Sequence, residues 1–456
     1  MRKNLHSQLP LVPPSIKHDH ATELRAISDR LDAASDAADL VLADLNRGLK
    51  DPTKGREGMA AETVLRALVV KQMRGFSYED LAFHLADSQT YRGFARIGIA
   101  DTPPSASALQ RDIKKIRPET LEEINHLLLG DAVRDGIERG RKVRVDCTVT
   151  ETDIHEPADS EQLWDCVRVL LRGLHQGRGF VDIEFTDHSR RANRRRHTAR
   201  DAKSKKARRS AYADLLKVTR NTVASARRGA IALQDFVCID VVEMLQAHAL
   251  ADELLRIVDL ADRVIDQAHR RVLLGEKVPA QDKVLSIFEP HTDIIIKSRR
   301  DVEYGHKLCL TTGASGLVTD LLVLEGNPAD STLAVQMVER QQDIYGRVPR
   351  QIAFDGGFAS KQNLADIKEA GVQDVMFSKR RGLEVLEMVK SSWVYRRLKN
   401  FRAGIEAGIS FLKRCFGLRR CTWRGEPSFK AYVWASVLAA NLLTLARHDL
   451  ARAEAA

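Results

Sequence analysis

Short β-rich segments alternate with helical ones between residues 302 and 377, and this alternation restricts the fold more than any other feature of the sequence. Helical stretches near 331–344 and 360–370 separate the later strands, so neighbouring strands are expected to run parallel there. A further β-rich segment at 142–149 is expected to join the same sheet. The chain is therefore predicted to contain an α/β domain with a mixed sheet. The predicted strands of the later region lie at 304–312, 317–324, 351–355 and 374–377.

A helical block at about residues 19–139 precedes the sheet. Gly75 is placed to end one helix and Ser77 to begin the next. Ser107 and Gln110 form a capping-box pattern for a later helix, which also carries a basic face. Short helices with tight turns and one basic face are typical of helix-turn-helix DNA readers, and a plain helical bundle is the alternative. The basic residues of this face that we expect to contact DNA are Arg111, Lys114 and Lys115.

The positive charge of the chain is concentrated in residues 188–209, which we call the basic run. It holds eleven Lys or Arg residues and one acidic residue, so its net charge of +10 equals the formal net charge of the complete 456-residue chain. Such a run gains free energy by releasing phosphate counterions, so it is expected to bind the DNA backbone without reading sequence. A solvated, disordered insertion is the alternative. The cations are Arg190, Arg191, Arg194, Arg195, Arg196, Arg200, Lys203, Lys205, Lys206, Arg208 and Arg209.

Three carboxylates in separate segments are candidate metal ligands. Asp146 lies in an apolar strand, where a buried carboxylate is costly unless it is paired or binds a metal ion. Asp355 ends a predicted parallel strand and precedes two glycines, at the sheet edge where α/β proteins bind ligands. Glu406 shares a helix face with Arg402 and Lys413, which fall about 40° and 20° from it around the helix. Taken singly, Asp146 also suits an edge or capping residue, and Asp355 suits a turn or capping residue. Glu406 also suits a surface Arg–Glu pair.

Considered together, the three acids suit a hard cation such as Mg²⁺, because they supply oxygen ligands without a set of histidines or cysteines. Two such ions about 4 Å apart can activate an attacking oxygen and stabilise a leaving one when a phosphodiester is displaced. The excess of basic residues would supply affinity for a polyanionic substrate. These features predict metal-dependent chemistry on nucleic acid.

The ordered set of motifs resembles that of the DDE transposases of bacterial insertion sequences, in particular the ISNCY-type and related groups. The strongest signal is the spacing Tyr-x2-Arg-x3-Glu-x6-Lys, which Arg402, Glu406 and Lys413 reproduce. Lys399 stands at the tyrosine position. The segments around Asp146 and Asp355 are similar to the first and second acidic regions of the family. Other similar segments lie at 55–59, 71–82, 288–297 and 303–307, and the resemblance covers most of residues 50–447.

The resemblance implies an RNase H-like core in which Asp146, Asp355 and Glu406 are catalytic and hold two Mg²⁺ ions, with Mn²⁺ as an alternative. It implies that water first cleaves double-stranded DNA at the element ends and that the freed 3′-OH then attacks target DNA. Arg402 and Lys413 would contact phosphates near the cut, and pairing of two ends would require a homodimer or larger assembly. The competing functions are a catalytically inactive DNA-binding repressor, and an RNase H-like nuclease or resolvase without strand transfer.

The same features give the predicted boundaries. A helical, basic insertion is expected at about 157–300, because Asp146 and Asp355 are much further apart in sequence than two neighbouring strands require. The predicted parts are a flexible leader at 1–18, a helical DNA-binding domain at 19–139, the catalytic domain with its insertion at 140–447, and a tail at 448–456.

No targeting segment or membrane span is expected from the sequence. The N-terminal residues lack an apolar signal region, and the apolar stretch at 431–446 is shorter than the roughly 20 residues that a membrane span needs. That stretch is predicted to form a buried helix. The six cysteines include no CxxC pair, which fits a reducing cytoplasm, where the chain would associate with the nucleoid.

Overall fold

The computed structural model describes residues 3–4, 17–55, 57–98, 100–296 and 301–455. Most of the predicted leader at 1–18 lies outside these residues. So do Arg56 and Lys297, each of which belongs to one of the motif segments. The chain divides into two compact units. The first combines Met1–Glu151 with His306–Ala456, and the second is Thr152–Gly305.

Seven helices form the N-terminal part of the first unit within the residues that the structure describes. The predicted junction between two of them is confirmed: Gly75 ends one helix with a left-handed φ of 64°, and Ser77 begins the next. Ser77 and Asp80 form a reciprocal capping box, which satisfies backbone groups that a helix start leaves free. The helices are α1 (Asp19–Ala33), α2 (Asp36–Asn46), α3 (Ala61–Arg74), α4 (Tyr78–Asp87), α5 (Gln89–Phe94), α6 (Ala106–Ile113) and α7 (Pro118–Arg134).

The predicted start of α6 was wrong by two residues. Ser105, not Ser107, occupies the N-cap, and its hydroxyl accepts a hydrogen bond from the backbone N–H of Ala108. Pro103 and Pro104 stand before it and restrict the preceding backbone to extended conformations. Ser107 instead lies inside the helix, where its side chain is exposed. The buried face of α6, with Leu109 and Asp112 at 0% exposure, packs into the helical core.

A six-stranded mixed sheet is built around the first predicted strand. The strand order is β2-β3-β1-β5-β6, and β4 pairs with β3. β5 lies parallel to both β1 and β6, whereas β3 lies antiparallel to β2 and β4. The predicted mixed sheet, with parallel neighbours among its later strands, is therefore confirmed. The strands are β1 (Lys142–Glu151), β2 (Asp293–Ile296), β3 (Val302–Gly313), β4 (Val318–Val323), β5 (Gln351–Phe354) and β6 (Asp374–Phe377).

Four long helices dominate the second unit and share one apolar core. The basic run is ordered: it forms α9 and the beginning of α10, and α9 buries Ala192 and Ala199 two turns apart. Between α10 and α11 the chain leaves the helical conformation, and the Asp240 side chain caps the new helix. These helices are α8 (Asp159–Gly177), α9 (Ser189–Asp201), α10 (Lys205–Gln234) and α11 (Val241–Ala268).

Helices also connect and cover the parallel strands. α12 (Ala334–Tyr345) precedes β5, and α13 (Lys361–Glu369) links β5 to β6, as the strand–helix–strand pattern predicts. A short α14 (Val385–Met388) leads to α15 (Ser392–Cys415), which packs on β1, β5 and β6. Stacked aromatic rings at the ends of β5 and β6 contribute to this core, with the Phe354 and Phe377 centroids 5.5 Å apart.

The C-terminal helix α16 (Glu426–Ala455) is long and apolar enough to cross a membrane by length and composition, yet 89% of its most apolar stretch is buried inside the protein. The predicted buried helix is thus confirmed, and residues 448–455 of the expected tail continue it. Asn441 on α16 accepts a hydrogen bond from Val318 N–H at 2.9 Å and donates to Val318 O and Asn125 Oδ1. This side chain therefore satisfies the backbone of β4, which would otherwise offer unpaired groups.

Candidate active site

Asp146 lies on β1, in the interior of the sheet. The neighbouring Val145 is fully buried, whereas the Asp146 side chain points to the other face and retains 15% exposure. One carboxylate oxygen accepts a hydrogen bond from the backbone N–H of Cys147 at 2.8 Å. The strand thus presents one acidic group at a largely water-excluded position.

Asp355 directly follows β5, the parallel neighbour of β1. Val145 pairs with Phe354 across the two strands, so Asp146 and Asp355 each follow that pair by one residue. The Ser378 hydroxyl donates to Asp355 Oδ1 at 2.9 Å. This placement agrees with the rule that ligands bind beyond the carboxyl ends of parallel strands.

The two glycines after Asp355 permit close approach of other groups. A Cβ atom at Gly356 would lie 2.6 Å from the Lys379 side chain, and one at Gly357 would lie 2.3 Å from Asp330 Oδ2. Neither glycine has a positive φ. A larger residue at either position would therefore push apart the loops that surround Asp355.

Glu406 reaches the same place from α15. Arg402, one helical turn before it, donates from Nη1 to Glu406 Oε1 at 3.0 Å. The Glu406 side chain is 66% exposed, so it lies at the rim of the site, whereas the Arg402 side chain is 16% exposed. Helix α15 therefore supplies one carboxylate and one nearly buried cation.

The guanidinium of Arg402 joins all three carboxylates, which we call the acidic triad: Asp146, Asp355 and Glu406. Its Nη2 atom lies 3.0 Å from Asp146 Oδ2 and 3.0 Å from Asp355 Oδ1. These two oxygens are consequently no more than 6.0 Å apart. Three segments that are distant in sequence thus converge on one side chain.

The two aspartates have different proton affinities. Burial raises the pKa of Asp146 to about 6, against the attraction of Arg402 and the Cys147 N–H. Burial also acts on Asp355, but hydrogen bonds from Ser378 and the backbone N–H groups of Gly356 and Gly357, with Arg402, outweigh it and lower its pKa. Asp355 is therefore ionised under conditions in which part of the Asp146 population still holds a proton.

A second arginine, which the sequence did not single out, holds α15 against the sheet. Arg144 on β1 donates to the backbone oxygen of Phe401 at 2.7 Å and to Thr312 Oγ1 at 2.8 Å. Its guanidinium lies 4.7 Å from the centroid of the Phe401 ring. A Cβ atom at Gly404 would lie 2.2 Å from Arg144 Nη1, so this contact requires glycine. Gly404 lies between Arg402 and Glu406, and the contact therefore sets the position of both.

The donor set of the triad fits a hard divalent cation. Its members offer carboxylate oxygens, which are the ligands that Mg²⁺ prefers. The positive charge of Arg402 already lies among these oxygens, which shows that the pocket is electrostatically suited to cations. Lys413, further along α15, is partly buried and lies about 20° from Glu406 around the helix.

The basic run divides into cations with and without partners. Arg191 and Arg195 pair with Asp214, Arg196 pairs with Glu161, and Arg200 pairs with Asp201. Arg209 donates to Leu273 O, and Arg208 lies over the Tyr212 ring. Five others are exposed and have no partner within the described residues: Arg190, Arg194, Lys203, Lys205 and Lys206.

The other predicted DNA contacts lie at the end of α6. Arg111 and Lys114 are exposed and Lys115 is partly buried, while Arg111 also pairs with the buried Asp112. Two further exposed residues on α6 are Ser107 and Gln110. Ser107, Gln110, Arg111 and Lys114 recur at the i, i+3, i+4, i+7 spacing of a single helix face.

Comparison with known protein families identifies two matches. Residues 290–442 match the transposase DDE domain, and residues 15–115 match a transposase domain designated DUF772. The chain belongs to the DDE transposases. Searches among curated proteins and among solved structures gave no match.

Membership of the DDE transposases defines the general activity and fold. These enzymes act on DNA by cleavage and strand transfer and use a divalent metal ion, and their DDE domain has an RNase H-like fold, with which the mixed sheet agrees. The DDE-domain match contains Asp355 and Glu406, whereas Asp146 precedes it. The DUF772 match contains α1 to α6 and ends just after that last helix.

Proposed function

We propose that this transposase uses the acidic triad to cleave DNA at the ends of its element and to join the freed ends to target DNA. The convergence of Asp146, Asp355 and Glu406 on Arg402 is the observation that carries this proposal. The three residues would hold two divalent ions, Mg²⁺ or alternatively Mn²⁺. When bound, such ions lower the pKa of an attacking water and stabilise the charge that develops on the phosphate oxygens.

The residues around the triad have separate roles in this proposal. Ser378 and the backbone N–H groups of Gly356 and Gly357 keep Asp355 ionised, and Arg144 fixes the position of α15. Asp146 must lose its proton to act as a ligand, and with a pKa of about 6 it is mostly ionised at neutral pH. Arg402 and Lys413 would contact phosphates of bound DNA, which requires the Arg402 guanidinium to exchange some carboxylate contacts for phosphate oxygens.

The remainder of the chain would hold the DNA. We assign residues 19–139 to recognition of the element ends, with α6 as the helix that reads bases. Serine, glutamine and arginine on one exposed face are side chains that bind base edges in the major groove. The insertion would bind backbone phosphates through the five unpaired cations of the basic run. Pairing of two ends requires at least a homodimer, and we place its action in the cytoplasm, at the nucleoid.

The catalytic part is tested with Asp355→Asn and Glu406→Gln, which remove a charge and keep the side-chain shape. Protein, Mg²⁺ and linear DNA carrying the sequences that flank the reading frame are incubated together, and cleaved and joined products are separated by electrophoresis. We expect both variants to lose cleavage and joining while they retain DNA binding. Asp343→Asn is the matched control, because Asp343 is exposed on α12 and lacks an ion pair among the described residues; it should retain activity.

Each outcome separates the proposal from its competitors. Cleavage by Asp355→Asn at the wild-type rate would refute the assignment of the triad. Binding without cleavage by the unmodified chain would instead indicate a repressor. Cleavage without any joined product would indicate a nuclease or resolvase. Joined donor–target product that depends on Asp355 and Glu406 supports the proposal.

The role of the basic run is tested by the salt dependence of DNA affinity. Each phosphate contact contributes about 0.9 to the slope of log affinity against log salt, so neutralising four contacting cations should lower the slope by about 3 to 4. The test variant changes Arg190, Arg194, Lys205 and Lys206 to glutamine. The control changes the same number of paired cations, Arg191, Arg195, Arg196 and Arg200. An equal slope in the test variant and the unmodified chain would place the DNA path elsewhere.

A further inference from the structure

A second group of potential metal ligands lies away from the acidic triad. Glu122 and His126 are one turn apart on α7, and Asp320 lies on β4. One ligand atom from each of the three side chains lies within 4.8 Å of the other two. Residues four apart on a helix share a face, so α7 presents its carboxylate and imidazole together to the strand. None of the three belongs to the acidic triad or contacts Arg402 within the described residues.

The histidine of this group has an unused nitrogen. His126 Nε2 is buried and makes no hydrogen bond within the described part of the chain. A buried polar atom without a partner is costly, so native proteins retain one for a reason such as ligand binding. Asp320, another member of the group, is 0% exposed, so its carboxylate is also withdrawn from water. Two independent observations therefore point to the same small space between α7 and β4.

Arg340 now supplies the positive charge that these carboxylates need. It donates from Nε and Nη2 to the two oxygens of Asp320, each at 2.6 Å, and from Nη2 to Glu122 Oε1 at 2.9 Å. A metal ion would bind the same oxygens, so it would compete with these guanidinium contacts. An unprotonated imidazole nitrogen can bind a metal ion, and His126 Nε2 receives no hydrogen bond from Arg340 or any other described residue.

We propose that Glu122, His126 and Asp320 bind one transition-metal ion of the Zn²⁺ type, in exchange with Arg340, and that the ion then links α7 to β4. One imidazole nitrogen and two carboxylate oxygens suit Zn²⁺, whereas Mg²⁺ prefers oxygen ligands alone. Tetrahedral Zn²⁺ holds its ligand atoms about 3.4 Å apart, so rotation of the flexible Glu122 side chain must close the gap. The inference is independent of the function proposed for the triad.

Zinc binding by the full-length chain tests the proposal, with Asp355→Asn as the parent so that ions at the triad do not interfere. Zn²⁺ affinity is measured by equilibrium dialysis after EDTA treatment, and thermal unfolding is followed in Zn²⁺ and in the same concentration of Mg²⁺. We expect one Zn²⁺ per chain and a higher midpoint in Zn²⁺ alone. His126→Asn should weaken Zn²⁺ affinity by more than about 100-fold, whereas His269→Asn on another helical segment should leave it unchanged.

A change of the competing cation gives a second readout. Without metal, Arg340→Met should lower the unfolding midpoint, because it leaves Asp320 buried and unpaired. Added Zn²⁺ should restore the midpoint, and this variant should bind Zn²⁺ more tightly than the parent does. A purely structural ion pair predicts the same loss without restoration by Zn²⁺. Equal Zn²⁺ affinity in His126→Asn and the parent would overturn the proposal. This comparison does not depend on Arg340→Met, so it tests the proposal even when that variant fails to fold.

Discussion

The contact between Arg144 and Gly404 can be tested by one methyl group. In Gly404→Ala the new Cβ would lie 2.2 Å from Arg144 Nη1, so the guanidinium must leave the backbone oxygen of Phe401, which it now binds at 2.7 Å. Gly408, four residues later on α15, has no heavy atom within 4 Å of the corresponding Cβ position. Gly408→Ala is therefore a matched control: the same substitution on the same helix, without the clash.

The expected magnitudes differ in sign. Replacing glycine by alanine inside a helix contributes about 1 kcal/mol of stability, which is the whole effect expected for Gly408→Ala. A hydrogen bond to a charged group contributes about 1.5–3 kcal/mol, so Gly404→Ala should lose that amount and regain about 1 kcal/mol. We expect Gly404→Ala to destabilise the protein by about 0.5–2 kcal/mol, and to reduce DNA cleavage because Glu406 follows two residues later.

The assay is urea unfolding of Gly404→Ala, Arg144→Ala and the double variant, with cleavage of end-containing DNA as the functional readout. Once Arg144 is shortened, the methyl group meets no guanidinium, so Gly404→Ala should then stabilise the protein by about 1 kcal/mol. The resulting coupling energy is about 1.5–3 kcal/mol. If Gly404→Ala stabilises the unmodified chain as much as Gly408→Ala does, the proposed role of Arg144 in positioning α15 is refuted.

Two further predictions concern buried charges. The pKa of Asp146 is raised from 3.8 to about 6 in the folded protein, so its contribution to stability is present below pH 3.8 and is lost as the pH rises through 6. The free energy of unfolding of Asp146→Asn, measured in urea, should therefore rise relative to that of the unmodified chain by up to about 3 kcal/mol between pH 3.5 and pH 8. A difference that does not vary with pH would contradict this. Arg66 is 1% exposed and pairs with Asp32 and Glu62, so Arg66→Met should cost about 3 kcal/mol in thermal unfolding, and a loss below about 1 kcal/mol would show that the pairs contribute little.

Features that depend on near neighbours in the chain could be predicted from the amino-acid order alone. Short β-rich segments between helical ones located the strands, and the Gly75–Ser77 junction followed from backbone preferences of single residues. The buried helix at 431–446 followed from its apolar residues. The candidates Asp146, Asp355 and Glu406 were also evident, because an acidic residue beside apolar ones needs an explanation and the order of the motifs is specific.

Contacts between groups that are distant in sequence became evident only from the folded chain. Arg402 was expected at a phosphate, but packing of α15 on the parallel strands places its guanidinium among three carboxylates. Arg144 had no local signal, because its partners on α15 lie far along the chain. The cluster of Glu122, His126 and Asp320 likewise exists only because α7 packs against β4. Such contacts are stabilised by burial and charge pairing between segments. These contributions to the free energy arise only once the segments have folded together.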